Sequence, residues 1–149
     1  MSIHEIRESG TSRMTEEELG QLLTDQGVGV LGLAEGGLPY LLPLSFGYDG
    51  EEALYFVYLL FGPESRKEDL TERADLGRFV VYDAAAVHDW RSASLVGRFE
   101  TVADDEWDDL RAAMENAWHP DLFSSAEPMR GIEGYRFEIE SWTAIQQSE

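Results

Sequence analysis

The spacing of apolar positions changes along the chain, and each change predicts an element. Thr15-Glu16-Glu17-Glu18 has a capping-box pattern, and Leu19, Leu22 and Leu23 follow at helical spacing. Gly27 predicts the end of that helix at Gln26. From there the pattern is that of strands. Val28, Val30, Leu31 and Leu33 predict a short strand ended by Glu35-Gly36-Gly37. A second strand runs from Leu38 to Tyr48, and Asp49-Gly50 signals a turn into a third, Ala53 to Leu59. A short helix reaches from about Leu70 to Ala74, and Arg78 to Tyr82 and Ser92 to Val102 read as strands. Trp107, Leu110, Met114 and Trp118, spaced by 3, 4 and 4 residues, mark one face of a helix capped by Asp104, with acids on the other face. Pro120 to Gly134 reads as a loop, and Tyr135, Phe137, Ile139 and Trp142 as a last strand.

Pro39 and Pro43 interrupt the second strand. Proline cannot donate to a ladder, so that strand is expected at a sheet edge, at a bulge, or facing a ligand. Antiparallel strands joined by turns, with helices at three places, predict an α+β fold built on a small antiparallel β-barrel. One domain over residues 1–149 is expected, with residues 1–13 as an arm.

Composition narrows the function. The 149 residues hold 30 acidic and 11 basic side chains, a net charge of −19. Such a field repels nucleic acid and anionic membranes. No apolar run is long enough to span a bilayer, and Met1 to Met14 is charged without an apolar signal core, which together predict a cytoplasmic protein. The acids are spread along the chain rather than gathered in one block, which fits adaptation to a salty cytosol better than a specific cationic partner. At about 1 M salt the Debye length is about 3 Å, so the self-repulsion would be screened and the fold is expected to be lost in low salt.

Candidate chemistry is sparse. Cysteine is absent, no serine follows the G-x-S-x-G pattern, and His4, His88 and His119 are scattered without metal-ligand spacing, so no catalytic residue and no metal site is assigned. One stretch stands apart, Pro63-Glu64-Ser65-Arg66-Lys67-Glu68-Asp69, which holds the only lysine. Ser65 and Glu68 form a second capping box, which puts Arg66 and Lys67 in a first helical turn, where the dipole disfavours cations. Two readings stand. The segment is a solvated face on which Arg66 pairs with Asp69 and Lys67 with Glu64. Alternatively it is an anion site, in which backbone N–H groups, Ser65 and the two cations cradle a phosphate.

The order of elements, with the motifs P-x-x-x-P-L-S-F-x-Y-D-G over Pro39–Gly50 and Y-F-x-Y with S-R-K-x-x-L ending at Leu70, resembles the pyridoxamine 5'-phosphate oxidase-like family, especially its small nitroimidazole-resistance-type members. The resemblance spans roughly Met14 to Trp118. It implies a split β-barrel, a homodimer and FMN in a groove between subunits. It also implies that Arg66 and Lys67, assisted by Ser65, hold the FMN phosphate and that the strand of Pro43, Leu44, Ser45 and Phe46 lays its backbone along the isoalloxazine. Tyr58 is then expected near the ribityl chain or ring, and Trp90, Ser92 and Ser94 meet the cofactor from a later strand, across the dimer. Phe46, Tyr58 and Trp90 are equally compatible with ordinary barrel core. The sequence departs from the family in placing Gly62 ahead of Pro63 and Glu64, and in lacking a C-terminal glycine–arginine ending. The implied activity is an FMN-dependent oxidoreductase that takes electrons from NAD(P)H or another donor to a small-molecule acceptor. The alternative is a binding or sensing module for flavin, deazaflavin or haem.

Overall fold

The computed structural model describes residues 10–59, 66–117 and 132–147. Helix α1 (Glu16–Asp25) starts as the capping box predicts. Thr15 Oγ1 accepts from the Glu18 N–H at 3.1 Å and Glu18 Oε1 accepts from the Thr15 N–H at 2.9 Å, so two otherwise orphaned donors are satisfied. Leu19, Leu22 and Leu23 turn into the core. The end differs in detail from the expected glycine stop. Gln26 is extended and its N–H closes on Leu22 O at 3.0 Å, and Gly27 does not adopt a left-handed conformation.

Eight strands follow or flank it: β1 (Thr11–Arg13), β2 (Val28–Glu35), β3 (Leu38–Ser45), β4 (Gly47–Tyr48), β5 (Ala53–Leu59), β6 (Gly77–Ala86), β7 (Asp89–Thr101) and β8 (Ile132–Gln147). They pair antiparallel in the order β3-β2-β6-β7-β8-β5-β4, with β1 added to β8. The two end strands, β3 and β4, are consecutive in sequence with only Phe46 between them. The sheet therefore curls until its ends meet, and the barrel is split at that residue. As the prolines imply, β3 pairs with β2 alone among the described residues and forms an edge. At the turn into β5, Asp49 Oδ1 accepts from the N–H groups of Glu51, Glu52 and Ala53 at 2.8, 3.0 and 3.1 Å.

The barrel interior is aromatic. Phe46, Phe56, Phe79 and Phe137 are fully buried, with ring centroids 5.3 Å apart for Phe46–Phe79 and 5.0 Å for Phe56–Phe79. Helix α2 (Arg66–Arg73) inserts Leu70 into the same core. Helix α3 (Trp107–Ala113), flanked by 3₁₀ turns at Asp104–Glu106 and Met114–Asn116, covers the other face of β5 through Trp107, Leu110 and Met114. Its approach is close enough that a Cβ on Gly47 would lie 2.4 Å from the Ala113 carbonyl carbon. Trp118 and residues 120–131, expected as helix face and loop, lie outside the described residues. The predicted loop nevertheless ends early, because residues 132–134 already belong to β8.

Candidate functional site

Arg66 and Lys67 open helix α2. Ser65, Pro63 and Glu64 lie outside the described residues, as does any capping by Ser65. Arg66 does not pair with Asp69, as the solvated-face reading expects. Its Nε donates to Glu35 Oε2 at the end of β2, while Asp69 takes Arg73 at 2.6 Å. The Arg66 hydrogen bond holds the Glu35 carboxyl below the usual carboxylate range. A guanidinium carries five N–H donors; the pair fixes Arg66 through one, and 65% of the side chain is exposed.

Lys67 is different. It is half-buried, its Nζ stands 5.5 Å from the Tyr58 ring centroid, and no carboxylate among the described residues pairs with it. Burial pushes its ammonium pKa down. In a chain with 30 acids, a partly desolvated cation with no anion paired to it among the described residues is the exception, and an incoming anion would relieve the cost.

The support under Lys67 is a hydrogen-bonded chain. The Thr71 hydroxyl donates to the Lys67 carbonyl at 2.6 Å, so the Tyr58 hydroxyl, 2.8 Å from Thr71 Oγ1, is the donor in that contact. Burial raises the Tyr58 pKa to about 12, which keeps it neutral. The Tyr135 ring lies 4.8 Å from that of Tyr58, yet its hydroxyl is buried without a hydrogen-bond partner among the described residues. Burial, with Glu133, Glu72 and Glu68 nearby, pushes its pKa up.

The remaining candidates divide between two faces of the sheet. Pro43, Val30, Val80 and Ser94 form one register row across β3, β2, β6 and β7, and Leu41, Gly32, Arg78 and Val96 form the next. Ser45 and Ser92 share this outer face. Arg78 Nη1 donates to Ser94 Oγ at 2.9 Å. Trp90, at the start of β7, is half-buried and donates its Nε1–H to Gln147 Oε1 at 3.1 Å. Leu44 points inward and packs against the core. Phe46 packs as barrel core. The ring is 0% exposed against Phe79, and its N–H is committed to Gly27 O at 3.0 Å. Tyr58 is likewise 0% exposed, with the Lys67 ammonium 5.5 Å from its ring centroid.

Within one chain, then, Arg66, Lys67 and Tyr58 come together, and Pro43, Ser45, Ser92 and Ser94 share a face. Arg66 is tied to Glu35, five residues along β2 from the row of Pro43 and Ser94, about 16 Å at the rise of a strand. Sequence reasoning did not find Glu35, Thr71, Arg78 or Tyr135. Glu35 sat beside two glycines and read as a turn residue, and its role depends on a contact 31 residues away in the chain.

The model of the family described as "Pyridoxamine 5'-phosphate oxidase" matches residues 15–146. No curated protein matches the chain. Among solved structures, a FAD-binding protein from Mesorhizobium loti superimposes with a TM-score of 0.72 at 22% identity, covering 93% of this chain and 98% of the other. The FAD and heme binding protein from Mycobacterium smegmatis gives 0.70 at 20% identity, covering 94% and 74%. A candidate 5-nitroimidazole antibiotic resistance protein from Bacteroides thetaiotaomicron gives 0.65 at 16% identity, covering 91% and 87%. These likenesses establish the split-barrel fold. With a family model matched over most of its length, the chain belongs to the pyridoxamine 5'-phosphate oxidase family.

Proposed function

We propose that the protein is a flavin-dependent oxidoreductase, active as a homodimer, that passes electrons from a reduced donor such as NAD(P)H to a small acceptor such as a nitro compound, a quinone or oxygen. The observation that carries the reading is Lys67, half-buried and with no carboxylate partner among the described residues, beside an Arg66 whose guanidinium Glu35 holds in place. The two cations suit a phosphate that ends the ribityl chain, the part FMN and FAD share. The relatives described as FAD-binding support the same class of ligand.

A bound flavin supplies reversible electron transfer, so the protein's task is position and electrostatics. Arg66 and Lys67 hold the phosphate. The unpaired edge of β3, from Pro43 to Ser45, offers backbone groups to a ring edge. Ser92, Ser94 and Trp90 stand on a different strand and serve a flavin bound by the other subunit. The outer face of the sheet favours such a dimer: Leu41, Val28 and Tyr82 are 63%, 44% and 57% exposed, an unusual apolar face on so acidic a chain. Oxidation of pyridoxamine phosphate itself is not proposed, since its phosphate would call for a second cationic cluster and Arg66-Lys67 is the one adjacent pair in the sequence. A working environment of high salt accords with the net charge of −19.

The visible spectrum of the purified protein tests this. A flavin band bleached by NAD(P)H and restored by a nitro compound or quinone is expected. A flavin that no donor reduces would refute turnover, and a colourless protein would refute the cofactor.

A further inference from the structure

The outer face of β2, β3, β6 and β7 departs from the rest of the chain in charge. Its outward positions alternate from Val28 to Ala34, Pro39 to Ser45, Arg78 to Ala84 and Trp90 to Val96, and none is aspartate or glutamate. In a chain with 30 acids among 149 residues, that is a gap in the anionic coat. Arg78 is the one cation at those positions. Its Nη1 donates to Ser94 Oγ at 2.9 Å, and it has no carboxylate partner among the described residues. By contrast Arg66, Arg73, Arg91, Arg98, Arg111 and Arg136 each pair with a carboxylate. Beside Arg78 the floor is apolar. Gly32 stands opposite it on β2 with Leu41 beyond on β3, and Val80, Val30 and Pro43 fill the next row. Leu41 leans over the glycine, where a Cβ would meet its Cδ2 at 3.4 Å.

We propose that Arg78 receives the charged group of the small acceptor, so that the protein selects planar aromatic substrates that carry a carboxylate; the inference rests on the flavin reading above. In that reading Ser94 meets the flavin held by the other subunit, and the hydrogen bond to Ser94 sets Arg78 beside the same ring. An aromatic acceptor lying on the flavin then covers the apolar rows with its own ring and reaches the guanidinium with its charge. A guanidinium takes both oxygens of a carboxylate through parallel N–H donors, and the bond to Ser94 already restricts its orientation. No like charge at the outward positions of these four strands repels such a substrate, whereas a net charge of −19 disfavours anions over the molecule as a whole. A phosphate fits less well, because one arginine stands here where the flavin phosphate is given two adjacent cations.

The test is the binding of two matched probes to the flavin-loaded protein, para-nitrobenzoate and its neutral counterpart para-nitrobenzamide, by isothermal titration at one salt concentration. The benzoate is expected to bind about tenfold or more tightly than the amide, the scale of one charge-assisted hydrogen bond. Arg78→Gln is expected to bring the two affinities together. Gly32→Asp, which sets a carboxylate opposite the guanidinium, is expected to do the same with Arg78 still in place. Flavin content reports that each variant has folded, since the cofactor phosphate is held at Arg66 and Lys67. Equal affinities in the parent, no binding of the benzoate, or a preference that survives both substitutions would overturn the inference and leave the flavin reading standing. An R78Q variant that turns from dimer to monomer in light scattering would also overturn it, by showing that Arg78 pairs with the second copy. A parent that holds no flavin would overturn both.

Discussion

Tyr58 and Tyr135 stack in the barrel with rings 4.8 Å apart, and their hydroxyls have opposite fates. Tyr58 donates to Thr71, which in turn ties down the Lys67 carbonyl. Tyr135 keeps a buried hydroxyl with no partner among the described residues. Removing a satisfied hydroxyl costs about 1 kcal/mol, whereas removing an orphaned one relieves a desolvation penalty of about 1–3 kcal/mol. Tyr58→Phe is therefore expected to lower the urea midpoint and Tyr135→Phe to leave it unchanged or raise it. A Tyr135→Phe variant that is clearly destabilised would show that the hydroxyl has a partner. At this scale the sequence was informative about residue type and uninformative about contact. The oddity of one lysine beside one arginine was visible, but Glu35 as the partner of Arg66 and the absence of a described carboxylate at Lys67 follow from long-range packing.

Elements were more legible than residues, for reasons that particular strands make plain. Pro39 and Pro43 betrayed the edge position of β3, since a ladder needs donors that proline lacks. The period of Leu19, Leu22 and Leu23 behind a capping box set α1 almost to the residue. By contrast β1 is a three-residue polar strand paired with β8, and β8 runs for 16 residues, well beyond the alternation of Tyr135, Phe137 and Ile139 that marks its middle. Those two elements draw their stability from neighbours, which local pattern does not record. The outer face of β3, β2, β6 and β7 makes its own prediction. Val80 sits in its central rows between Val30 and Ser94, so Val80→Glu adds a charge there without touching the core. Light scattering is expected to give a dimer for the parent chain and a monomer for the variant. A parent monomer, or a variant that remains dimeric, would dissociate this face from assembly.

For the molecule as a whole, charge and site pull in different directions. A net charge of −19 repels an anionic cofactor at long range, and salt weakens both that repulsion and any simple attraction to Arg66 and Lys67. On the proposed reading, binding relies on short, directed hydrogen bonds from groups already in place. Glu35 holds Arg66, and the Tyr58–Thr71 chain holds the turn that carries Lys67. On that proposal, the lysine that stood out by its solitude is half of a prepared pair. The most direct test is the flavin content of the protein as purified, measured by absorbance against protein concentration, for the parent and for Arg66→Glu with Lys67→Glu. The account predicts a flavin-loaded parent and a colourless double variant with unchanged far-ultraviolet circular dichroism. A double variant that keeps its fold and its full complement of flavin would contradict it.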